Sequence, residues 1–102
     1  NASLLNEGYI DELVEAGITD VSPDLKAYRL DTFIKVCAVQ SAARARVYLE
    51  NSWRAVRYLH TVHGQQVFMA VSIPCHPKIH TLTELKEMAT TLVEINPEIP
   101  VT

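Results

Sequence analysis

The sequence predicts an α/β fold in which parallel strands are joined by crossover helices. Three observations predict it. Stretches of helical apolar spacing alternate with short apolar strands, one strand is apolar on both faces, and Gly, Thr and Pro punctuate the helix ends. Strands that alternate with helices need crossover connections and therefore a parallel sheet.

The elements follow in chain order. "GYIDELVEAG" (8–17) sets Ile10, Leu13 and Val14 at helical spacing, with Gly17 as the stop. "ITDVSPDL" (18–25) reads as a short strand with charge at its exit. "LDTFIKVCAV" (30–39) reads as a helix with Asp31 as N-cap and Phe33, Ile34 and Cys37 on one face. "QSAARAR" (40–46) reads as a loop or a fraying turn. "VYLENSWRAVRYLHTVHG" (47–64) is the clearest helix. Leu49, Trp53, Val56, His60 and His63 form its inner stripe, and Gly64 closes it.

"QVFMAVSI" (66–73) is apolar on both faces apart from Ser72, the pattern of a parallel strand covered by helices. "TLTELKEMATTLVEI" (81–95) opens on a capping box, Thr81 to Glu84. It turns Leu85, Met88, Leu92 and Ile95 inward before Pro97 forbids continuation. "EIPVT" reads as the start of a third strand. The strands near 18–24, 66–73 and 99–102 are expected to run the same way, with helices on one face of the sheet. Three such strands leave two open edges, which proteins avoid. Residues 1–102 are therefore expected to be one segment of a larger α/β fold, incomplete at both ends.

Composition narrows the function classes. The chain is 48% hydrophobic and 21% charged, which describes a packed domain. A net charge of −3 gives no general attraction for nucleic acid, and no apolar run is long enough to span a bilayer. Two cysteines, Cys37 and Cys75, make no disulfide scaffold, so a reducing, cytoplasmic setting is expected.

The residues with possible chemistry gather at the first strand's exit. In parallel α/β folds ligands bind beyond the C-terminal ends of the strands. Residues two apart on a strand point the same way, so Asp24 and Lys26 share a side. A carboxylate and an ammonium held together there suit a zwitterionic or polyhydroxylated ligand. The same tripeptide also reads as a solvated strand exit with a weak surface ion pair.

The stretch "NASLLNEGYIDELVEAGITDVSPDLKAY", with its "DLKA" at residues 24–27, resembles the middle of a radical S-adenosylmethionine (SAM) enzyme. The likeness is to the pyruvate formate-lyase activating-enzyme branch, and "VFMAVSIP" and "TLTELKEMATTLVEINPEIPVT" are similar to its later strand and helix. The resemblance implies a (β/α)6 partial TIM-type barrel. It also implies a 4Fe–4S cluster that binds SAM and cleaves it reductively to a deoxyadenosyl radical. Asp24 and Lys26 would then hold SAM at the top of the barrel, and Asn1, standing where the family has the Asn of "TNG", would line the same site. The partners implied are a glycyl-radical enzyme or a small molecule as substrate, and flavodoxin or ferredoxin as electron donor.

The departures from the family pattern matter as much. The C-x3-C-x2-C cluster motif is absent from these residues, so its ligands are expected outside them. Pro23 stands where the family strand carries valine, which removes a ladder donor, and Cys75 replaces a glycine after "SIP". Cys75, His76, His80, His60 and His63 lack any zinc-finger spacing, and no metal is expected on them. Arg44, Arg46, Arg54 and Arg57 read as a solvated helix face or a partner-docking surface, and Trp53 as helix-to-sheet packing. The alternative to the enzyme reading is a non-catalytic α/β binding or scaffold module.

Overall fold

The computed structural model describes residues 2–102. The order is α1 (Glu7–Glu15), β1 (Asp20–Val21), α2 (Leu30–Cys37), α3 (Ala42–His63), β2 (Phe68–Met69) and α4 (Leu82–Ile95). β1 and β2 pair in parallel, with Asp20 opposite Phe68 and Val21 opposite Met69. Parallel bridges continue the sheet at Asp24 with Ser72, and add a third strand at Val71 with Val101. The three expected strands therefore do run the same way, and helices supply every crossover.

The ladder breaks where its chemistry says it must. Ala70 donates to the Val21 carbonyl at 3.1 Å, and Ser72 to the Pro23 carbonyl at 3.0 Å. The rung between them needs an N–H from residue 23, and proline has none. Pairing resumes beyond it, with Leu25 donating to the Ser72 carbonyl at 2.9 Å.

All four helices lie on one face of the sheet. The period of two sends Leu25 and Val71 into the main core, with Phe33 of α2, Leu49, Trp53 and Val56 of α3, and Met88 and Leu92 of α4. Ile10 of α1 packs on Ala55 and Leu59 of α3 in a second cluster, with Val21 against it. The opposite face carries Asp20, Ser22 and Asp24 beside Phe68, Ala70 and Ser72, none of them in either core. Two-sided burial of residues 66–73 is thus not what forms: Phe68 is 58% exposed.

Three expectations about helices need correcting. Residues 42–46 are helix, because Ser41 caps α3 by accepting from the Arg44 N–H and because Ala and Arg favour the helical state. α2 is not capped by Asp31. Its N-cap is Arg29, whose side chain makes no capping bond, and Asp31 lies within the first turn. In α4, Thr81 accepts from the Glu84 N–H at 3.1 Å as expected. Glu84 does not complete the box, however; its carboxylate is buried and serves α2 instead.

α1 begins at Asn6, whose side chain accepts from the Tyr9 N–H at 2.8 Å. It ends before Gly17, where φ of +100° favours a residue without a Cβ. Asp11 fastens it to α3, accepting from the Tyr58 hydroxyl at 2.8 Å and from His63 Nε2 at 2.7 Å. His63 therefore serves the α1–α3 contact. Among the described residues no helix is long and apolar enough to cross a membrane.

Candidate functional site

Asp24 and Lys26 meet at the C-terminal end of the sheet. Lys26 Nζ donates to Asp24 Oδ2 at 3.0 Å, with both side chains partly buried. Leu25 between them is fully buried in the core, which fixes the alternation and turns both charged groups toward the uncovered face. The bonded Lys26 ammonium holds the Asp24 carboxyl below its ordinary value of 3.8, although partial burial pulls the other way. Ser72 pairs with Asp24 across the parallel sheet, and its hydroxyl adds a smaller pull in the same direction.

Asn1 lies outside the described residues, so the site rests on Asp24, Lys26 and Ser72. Ser72 was not among the sequence-derived candidates. Its signal was present, since it is the one polar residue between Val67 and Ile73.

Three side chains from elsewhere in the chain hold the segment that follows Asp24. His80 Nε2 lies 2.9 Å from the Lys26 carbonyl oxygen. Trp53 Nε1 donates to the Ala27 carbonyl at 3.1 Å. Glu84 accepts the N–H groups of Tyr28 and Arg29 at 2.8 and 3.0 Å, and the Thr32 hydroxyl at 2.6 Å. Burial pushes the Glu84 carboxyl up. The Thr32 hydroxyl and the two backbone donors outweigh that and hold it below its ordinary 4.5, with His80 assisting. The turn from strand to α2 is thus fixed by residues from α3, the 74–80 loop and α4. Trp53 does pack helix against sheet, and its indole N–H adds the bond to Ala27.

The loop beyond β2 closes on itself. The His76 carbonyl accepts from Ile79 and His80, and the His76 N–H donates to His80 Nδ1 at 2.9 Å. Cys75 is exposed at its start. The Cys37 thiol on α2 is half-buried; burial raises it above the ordinary 9.0, and the Lys26 ammonium pulls the other way. Among the described residues no group of three or more His, Cys, Asp or Glu is placed to hold a metal ion.

Fold and site define an α/β chain with a parallel sheet, a helix-covered face and a charged couple at the C-terminal rim of the open face. Comparison with protein-family models, with curated proteins and with solved structures finds no match.

Proposed function

We propose that this chain supplies the SAM-binding rim of a cytoplasmic radical SAM enzyme of the activating-enzyme type. The observation that carries the reading is the Asp24–Lys26 couple, 3.0 Å apart at the C-terminal end of a parallel sheet. In the free protein each group neutralises the other. A zwitterionic, hydroxylated ligand engages both groups, its amine or hydroxyls going to the Asp24 carboxylate and its carboxylate to the Lys26 ammonium. Ser72 stands beside Asp24 on the neighbouring strand. The open face of the sheet supports a barrel wall, because parallel sheets are ordinarily covered on both sides. The resemblance of "DLKA" supplies the ligand's name.

An iron–sulfur cluster does not fit the residues described. Cys37 is half-buried on α2, Cys75 is exposed on a separate loop, and there is no third cysteine. No electron-transfer step is assigned to them. The second reading is a non-catalytic α/β binding or scaffold module, in which the couple is an ordinary, partly exposed ion pair.

Calorimetry tests the proposal, with SAM titrated into the full-length protein as wild type, Asp24→Ala and Lys26→Ala, before and after anaerobic iron–sulfur reconstitution. A charged hydrogen bond contributes roughly 1.5–3 kcal/mol, so each variant should weaken binding by about 10- to 100-fold. Unchanged affinity in both variants returns the couple to a surface ion pair. Binding without any gain on reconstitution selects the non-catalytic module.

A further inference from the structure

We propose that His80 is a positioning residue for the Asp24–Lys26 couple, and that its protonation releases the couple and makes ligand binding at this rim sensitive to acid. The ligand part rests on the reading above; the positioning part stands on geometry alone. His80 is buried and bonded at both ring nitrogens, to the His76 N–H through Nδ1 and to the Lys26 carbonyl through Nε2. A backbone N–H can only donate and a carbonyl can only accept. The two partners therefore assign the tautomer: Nδ1 carries the lone pair and Nε2 the proton. The neutral ring clamps the loop to the strand exit, and it does so on the residue that carries the ammonium.

An imidazolium cannot make this clamp. A proton on Nδ1 would face the His76 N–H, two donors 2.9 Å apart, and the ring would have to leave one partner. The titratable and charged groups on the joined elements are Glu84 of α4, Asp24 and Lys26 at the strand exit, and His76 and Lys78 on the loop itself. Carboxylates ordinarily titrate near 4, and Asp24 lies below that. A change in mildly acidic solution is therefore not the titration of Asp24.

The test follows His80 by imidazole-nitrogen NMR, and Asp24 and Lys26 by carboxyl-carbon and amide NMR, from about pH 8 to about pH 5. Wild type should show a protonated Nε2 and a bare Nδ1 at high pH. The Asp24 and Lys26 signals should then move with the midpoint of His80. In His80→Gln, whose amide can still donate to the Lys26 carbonyl, that linked movement should vanish; His80→Asn, which keeps only the His76 bond, should show displaced Asp24 and Lys26 signals at every pH. Thermal melts establish that both variants are folded. The opposite tautomer, or a His80 titration that leaves Asp24 and Lys26 unmoved, overturns the proposal.

SAM calorimetry over the same range should show affinity falling about tenfold as His80 protonates, and no such fall in His80→Gln. Flat wild-type affinity across the His80 titration overturns the acid sensitivity. Linked NMR titration with no SAM binding at any pH supports the positioning and removes SAM as the ligand.

Discussion

Glu84 of α4 accepts the Thr32 hydroxyl of α2 at 2.6 Å, across 52 positions of sequence. The same carboxylate takes the N–H groups of Tyr28 and Arg29, so α2 is capped by another helix and not by its own first turn. Helix starts leave unpaired N–H groups, and buried ones need an acceptor. Here one buried side chain supplies it, and in doing so ties α4 to the turn that follows Lys26.

Substitution at Glu84 should separate charge from hydrogen bonding. Glu84→Gln keeps an acceptor for the two backbone donors and should cost about 1 kcal/mol. Glu84→Ala leaves three donors without a partner and should cost about 3 kcal/mol or more. Urea unfolding monitored by circular dichroism gives both values. Equal losses would mean that Glu84 contributes mainly by packing.

Acid should weaken the fold through the same group. The Glu84 carboxyl is held below its ordinary 4.5 in the folded chain. A depressed folded value contributes stability that is complete above about 4.5 and lost as pH falls through the folded value. The urea midpoint of the wild type should therefore drop below that pH, and the drop should be shallower in Glu84→Gln. Parallel curves for the two proteins would place the acid sensitivity elsewhere.

Trp53 both packs and donates. It is buried in the core beside Tyr28, whose ring lies 5.6 Å away edge-on, and its indole N–H bonds the Ala27 carbonyl. Trp53→Phe should cost about 1–2 kcal/mol, from the lost bond and some lost volume. Trp53→Ala should cost about 3–5 kcal/mol by opening a cavity. Thermal unfolding ranks them, and a Phe variant as unstable as the Ala variant would show that the single bond to Ala27 dominates.

Pro23 interrupts the ladder, and restoring its donor should mend it. In Pro23→Ala the new N–H faces the Ala70 carbonyl. It should be protected from hydrogen exchange as the Leu25 amide is, which bonds the Ser72 carbonyl at 2.9 Å. The stability change should stay within about 1 kcal/mol, because the gained bond offsets the lost stiffness of proline. Rapid exchange at residue 23 would show that strand twist, not the missing donor, breaks the ladder.

The sequence by itself determined the alternation of helices and strands, their parallel sense, and part of the core: Ile10, Phe33, Leu49, Trp53, Val56, Met88 and Leu92 are buried, whereas Leu13, Ile34, His60, Leu85 and Ile95 are only partly so. It also located the pair Asp24 and Lys26 and the weak rung at Pro23. These are local properties, set by the periods of 3.6 and 2 and by the covalent chemistry of single residues. Only the tertiary structure decided that Glu84 caps α2, that His80 and Trp53 hold the carbonyls of Lys26 and Ala27, and that His63 bonds Asp11. Each of those bonds links segments far apart in sequence. A carboxylate at the third helical position reads as its own helix's cap until a neighbouring helix brings buried N–H groups within reach. Those donors cost more to leave unpaired than the α4 terminus, where the exposed Thr81 already caps Glu84.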